Sequence, residues 1–154
     1  NVELLPCVFL CRLFVLQAED GIRYHCVTGV QTCGLPISMR PTAIEETLSA
    51  MQEVANGGRV LAVLEPRSNT MRMGVHKDTL LPSLAGADRV FIYTPTDLGW
   101  QLPADSPESV TACDDFDGLL ASIIAEAKPG DHLLVMSNGG FGGIHGKLLA
   151  ALGS

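Results

Sequence analysis

Arg67 and Arg72 lie within Glu65-Pro-Arg-Ser-Asn-Thr-Met-Arg72, with Ser68, Asn69 and Thr70 between them. Arginine grips a carboxylate through two parallel hydrogen bonds, while serine and asparagine add shorter-range donors and acceptors. The segment therefore suits capture of an anionic ligand, although a turn capped by Ser68 or Asn69 beside a solvated Arg67 would need the same residues. A second segment, Ser137-Asn-Gly-Gly-Phe-Gly-Gly143, runs into Ile144 and His145. It is not a dinucleotide fingerprint, because counting Gly-x-Gly-x-x-Gly from Gly140 puts His145 at the sixth place. A P-loop fails too, since Phe141 and Leu148 stand where a glycine and a hydroxyl are required around Gly146-Lys147. Two readings stay open: glycine amides before a helix that approach a carboxylate, or a tight turn that needs positive φ.

The remaining polar residues add less. His76 and His145 are each isolated, and a binding role is the most that their positions suggest. Asp114, Asp115 and Asp117 lack the loop of oxygen ligands that a metal site needs, and helix capping accounts for them. No nucleophile, base and acid recur together, so no catalytic residue and no metal ligand are expected. Arg67, Ser68, Asn69, Arg72, His76, Gly139, Gly140 and His145 are the candidate binding residues.

The elements around these segments alternate. Thr42-x-x-Glu45 behind Pro41 predicts a capping box, followed by a helix with Ile44, Leu48, Met51 and Val54 on its apolar face, stopped at Asn56-Gly57-Gly58. Val60 to Leu64, Arg89 to Tyr93 and His132 to Met136 are short apolar runs of the kind buried on both faces of a parallel sheet. Further helices are predicted over Val75 to Leu84, with a kink or restart at Pro82, then from a cap at Asp114 or Asp115 through Phe116, Leu119, Leu120, Ile123 and Ile124, and finally through Ile144, Leu148, Leu149 and Leu152. A minor strand is expected near Val110 to Cys113. The order predicts an α/β fold, an open and mainly parallel sheet with helices on both faces. Ligands of such sheets meet the loops beyond the strands' carboxyl ends, here 65–74, 94–99 and 137–143.

Composition narrows the partners. The chain has 154 residues, 47% hydrophobic and 18% charged, with a formal charge of -7. That charge disfavours nucleic acid, and the apolar stretch from Leu4 to Leu16 is too short to span a membrane. Four of the five cysteines lie before residue 38, at spacings that match no tight zinc pattern, and with that segment set aside Cys113 is the only cysteine left, a lone thiol suited to a reducing cytoplasm. The stretches Gln17-Ala-Glu-Asp-Gly-Ile-Arg23, Val27-Thr-Gly-Val-Gln-Thr-Cys33 and Leu35-Pro36-Ile37 resemble an in-frame translated sequencing adapter. Residues 1–38 are accordingly expected to be a non-native leader and 39–154 the domain proper, entered at its first helix. The sheet position feeding that helix should then stand empty or be filled by leader residues.

Three stretches carry a specific resemblance: Arg59-Val-Leu-Ala-Val-Leu-Glu-Pro-Arg-Ser-Asn-Thr-Met-Arg-Met-Gly74, Val75-His-Lys-Asp-Thr79 and Val135-Met-Ser-Asn-Gly-Gly-Phe-Gly-Gly-Ile-His145. From about Pro41 onward the chain resembles the Rossmann-like carboxyl-terminal domain of the Mur ligase family, in its murein-recycling branch. The resemblance implies a cytoplasmic, ATP-dependent ligase that joins UDP-N-acetylmuramate to the recycled tripeptide L-Ala-γ-D-Glu-meso-diaminopimelate. ATP and magnesium would belong to the central domain of the parent, and none is expected on this chain alone. By the same resemblance Arg67, Ser68, Asn69, Thr70, Arg72, His76, Asn138, Gly139, Gly140 and His145 would line the peptide end of a cleft, and the chain alone would be inactive. The alternative is a free-standing, non-catalytic α/β module for a small anionic or peptide ligand.

Overall fold

A computed structural model describes residues 12–17, 40–67, 72–137 and 139–152. Ser68, Asn69, Thr70 and Asn138 lie outside the described residues. Helix α1, Pro41–Ala55, starts one residue before the predicted cap. Arg40 is the extended N-cap without a side-chain bond, and Pro41 takes the first helical position. Proline carries no N–H to be satisfied there and holds the preceding residue extended, so Thr42 falls inside the helix and the expected capping box does not form. The buried face is Ile44, Leu48, Met51 and Ala55, whereas Val54 is 46% exposed. The helix ends at Asn56 with φ 47°, in the left-handed region.

The strands are β1 (Arg12–Gln17), β2 (Val60–Glu65), β3 (Arg89–Tyr93), β4 (Val110–Cys113) and β5 (His132–Ser137). Among the described residues they form one sheet in the order β1-β5-β2-β3-β4, and every pairing is parallel. Helix α2 spans Lys77–Ser83, shorter than the predicted Val75 to Leu84, and Pro82 sits within it. Helix α3, Phe116–Glu126, is capped by Asp115, whose carboxylate accepts the Gly118 N–H at 2.6 Å. A 3-10 turn, Phe141–Gly143, leads into α4, Ile144–Leu152. The edge beside β5 is taken by β1, from the expected leader.

Period-two alternation divides the core. Ala62, Leu64, Val90, Ile92, Leu134 and Met136 pack with Ile44, Leu48 and Met51 of α1 and Leu80 of α2. Leu61, Val63, Phe91, Leu133 and Val135 pack on the other face with Leu119 and Ile123 of α3 and Ile144 and Leu148 of α4. Leu61 and Leu64 are fully buried, and truncating such a leucine to alanine costs about 2–5 kcal/mol.

The strand order dictates where the chain opens. From β2 the path runs through α2 outward to β3, whereas from β4 it returns through α3, past β3 and β2, to β5. Right-handed crossovers travelling in opposite directions must place their helices on opposite faces. Accordingly α3 lies opposite α2, and the last helix, α4, packs on the α3 face, so neighbouring strands β2 and β5 send their continuations apart. A sheet with this reversal leaves a cleft beyond the carboxyl ends of the two strands.

Candidate functional site

Glu65 and Ser137 are the last residues of β2 and β5 and are register partners across the reversal. Each ends an apolar run, so the sheet carries both polar side chains to the mouth of the cleft. The Ser137 hydroxyl donates to Glu65 Oε2 and accepts the Gly139 N–H at 3.1 Å. Just beyond β2, the Arg67 N–H donates to the Glu65 carbonyl at 2.9 Å. The exposed Arg67 guanidinium lies against Gly139: a Cβ added there would sit 2.7 Å from Nη1 and 3.1 Å from Cζ. Contact as close as this requires glycine. The segments 65–67 and 137–139, distant in sequence, thus form one surface.

On the other side of β2, Arg72 turns toward the loop after β3. Its guanidinium pairs with Asp97, and its carbonyl accepts the Gly99 N–H at 3.1 Å. Both partners are exposed, 43% and 64% for the side chains. The two arginines of the segment therefore differ. Among the described residues Arg67 has no carboxylate partner, whereas Arg72 already holds one.

Phe141 closes the glycine turn with φ 38°, and its ring is buried between Tyr93 and Phe116 at centroid distances of 6.0 and 6.1 Å. Gly142 follows at φ 55°, where a Cβ would lie 3.0 Å from the Phe116 ring. The turn is thereby fastened to α3, and Lys147 places its ammonium 4.7 Å above the same ring. Two amides are satisfied within the turn, since the Gly143 N–H donates to the Gly140 carbonyl at 2.8 Å and Gly139 donates to Ser137. The Gly139 amide thus has a partner in the protein, and its contribution is a bare surface for Arg67. Gly140 is exposed. His76 is the half-buried N-cap residue of α2, and its carbonyl accepts from Thr79 and Leu80. His145 is exposed in the first turn of α4. The structure brings Arg67 and Gly139 together; His76 and Arg72 belong to the neighbouring α2 and β3 side.

Glu65, Ser137, Asp97 and Tyr93 are rim residues that the sequence did not single out. A charged or hydroxyl residue ending an apolar strand was the available signal for Glu65 and Ser137. Their pairing, however, depends on β2 and β5 being neighbours.

At the opposite end of the sheet Arg59 forms a separate network. It bonds Asp131 through Nε at 3.1 Å and Nη2 at 2.8 Å, and Glu126 through Nη1 at 3.2 Å. Hydrogen bonding to Asp131, against the opposing effect of burial, holds this guanidinium above its ordinary pKa. Asp131 is buried and also accepts the Lys128 N–H at 2.8 Å. This network ties β2, α3 and β5 together far from the cleft.

Among the described residues no group of three His, Cys, Asp or Glu side chains is placed to hold a metal ion, and no helix is long and apolar enough to cross a membrane. A family model described as "Mur ligase, glutamate ligase domain" matches residues 25–139. The chain is 51% identical over 116 residues to the UDP-N-acetylmuramate--L-alanyl-gamma-D-glutamyl-meso-2,6-diaminoheptandioate ligase of Escherichia coli (strain K12), covering 73% of this chain and 25% of that protein. A murein peptide ligase structure from Psychrobacter arcticus 273-4 is similar at 40% identity and TM-score 0.65, over 77% of this chain and 26% of that one. A crystallised domain from Haemophilus ducreyi 35000HP, assigned to a UDP-N-acetylmuramate:L-alanyl-gamma-D-glutamyl-diaminopimelate ligase, is similar at 44% identity and TM-score 0.58, over 75% of this chain and 86% of that domain. The chain spans about a quarter of the length of the curated relatives it matches.

Proposed function

The chain belongs to the Mur ligase family, through its glutamate ligase domain, and from that premise we propose that it is the acceptor-binding, closing domain of a murein-recycling ligase. The parent would be a cytoplasmic enzyme that uses ATP and magnesium to join UDP-N-acetylmuramate to L-Ala-γ-D-Glu-meso-diaminopimelate. The observation that carries this reading is the reversal between β2 and β5, with Arg67 unpaired among the described residues at its mouth. A cationic fork at the switch point of a parallel sheet suits a carboxylate of the incoming peptide.

Among the described residues no group of three His, Cys, Asp or Glu side chains is placed to hold a metal ion, and the parent's magnesium would belong to its central domain. The chain's own contribution is to bind and orient. Arg67 would hold a carboxylate, and the Gly139 surface would fix the direction of the guanidinium. Placing an amine beside an activated carboxyl group is itself a large part of such a reaction, because it removes the entropy cost of bringing the two together. Ser68, Asn69, Thr70, Asn138, Gly140 and His145 would complete the peptide end, with His76 and the Asp97-paired Arg72 on its neighbouring α2 and β3 side.

The experiment is a pair of measurements. The isolated chain, titrated with the tripeptide, should bind it and should neither hydrolyse ATP nor form product. A chimera carrying residues 39–154 in place of the corresponding segment of the Escherichia coli relative should ligate. A chimera that folds and binds UDP-N-acetylmuramate but does not ligate would count against the reading, as would turnover by the isolated chain.

A further inference from the structure

We propose that Glu65 and Ser137 are positioning residues that set the direction in which Arg67 presents its guanidinium; the inference rests on the reading of the cleft as an acceptor site. Ser137 is 1% exposed, so its hydroxyl has one environment. A hydroxyl has a single proton to give. Here that proton goes to Glu65 Oε2, which leaves a lone pair for the Gly139 N–H at 3.1 Å. With the proton donated elsewhere, or the hydroxyl absent, the two bonds cannot coexist.

Glu65 acts on Arg67 from two sides. Its carbonyl accepts the Arg67 N–H at 2.9 Å, which fixes where the side chain leaves the backbone. Its carboxylate, through Ser137, fixes Gly139, the surface that the guanidinium covers. The bond between the two side chains also spans the register pair at which the chains leave for opposite faces. Neither residue is assigned contact with the ligand. Both act through Arg67 and Gly139, and an ionised acceptor at 65 makes the hydroxyl bond stronger than a neutral one would.

The test uses the 15N-labelled chain and its variants Ser137→Ala and Ser137→Thr, at a temperature where all are folded. In the ligand-free chain, Gly139 amide exchange and the mobility of the Arg67 Nε–H report positioning alone. Ser137→Ala should speed Gly139 exchange about tenfold and increase Arg67 mobility. Ser137→Thr keeps the hydroxyl and should return both to within about twofold of the original chain. Unchanged signals in Ser137→Ala, or faster exchange in Ser137→Thr to the same extent, would overturn the proposal. Tripeptide affinity of the unaltered chain tests the acceptor reading separately. Where it binds, Ser137→Ala should weaken binding about tenfold, and an unchanged affinity overturns the role assigned to the pair. Should Ser137→Ala not fold, Glu65→Gln keeps the volume and weakens the same bond, and it should shift both signals in the same direction.

Discussion

Replacing Gly139 with alanine separates ligand binding from stability. The new Cβ would stand 2.7 Å from Arg67 Nη1, closer than a Cβ tolerates, and a tight 3.2 Å from Cδ. One side must move. Gly139 is held by its bond to Ser137, whereas Arg67 is exposed and ends in a flexible side chain, so the guanidinium swings away. The folded state then loses little, and alanine narrows the unfolded ensemble by about 0.4–1 kcal/mol, so the net change should lie within about 1 kcal/mol of zero. Binding should suffer more. A charge-assisted bond to a carboxylate contributes about 1.5–3 kcal/mol, which corresponds to about 10- to 150-fold in affinity. Calorimetric titration with the tripeptide, alongside thermal unfolding, reads both quantities. Arg67→Ala should produce the same loss, and the double variant should lose no more than either single one. An unaltered affinity in Gly139→Ala, or a midpoint lowered by many degrees with affinity intact, would refute the reasoning.

Gly142→Ala should behave in the opposite way, because φ 55° and the Phe116 ring at 3.0 Å leave the new methyl no flexible neighbour to displace; a loss of about 1–3 kcal/mol is expected in denaturant unfolding. Arg59→Met leaves Asp131 buried without its main partner and should cost about 2–3 kcal/mol, or about 5–10 °C in midpoint, with tripeptide affinity unchanged. The Arg59 pKa is raised on folding, so its charge stabilises at every pH below the ordinary guanidinium value and is lost only as pH rises through the higher folded value; the gap between original and Arg59→Met melts should therefore stay flat from about pH 6 to 10. Asp97→Ala breaks an exposed ion pair and should change stability by less than about 1 kcal/mol in the same melts.

Much of the architecture was legible because burial on both faces leaves uninterrupted apolar runs. Val60 to Leu64, Arg89 to Tyr93 and His132 to Met136 all became strands, extended by one residue at Glu65 and Ser137. Local signals that compete were harder to rank. Thr42 and Glu45 matched a capping box, yet Pro41 began the helix first. Val54 and Ala55 both continue the apolar period, and only the docking angle of α1 buries Ala55 and exposes Val54. The site was legible as three loops and illegible as contacts. Arg67 and Arg72 look equivalent in sequence, and what divides them is Gly139 on one side and Asp97 on the other, each delivered by a different neighbouring strand. Glu65 and Ser137 meet only because a return crossover sets β5 beside β2.

The central claim is that an acceptor carboxylate lodges where β2 and β5 part. Amide and arginine side-chain shifts of the labelled chain, followed as the tripeptide is added, test it directly. The account predicts saturable shifts concentrated at Glu65, Arg67, Ser137 and Gly139, and none at Arg59, Glu126 or Asp131. Saturable shifts at the Arg59 end of the sheet with the Arg67 end silent would contradict it.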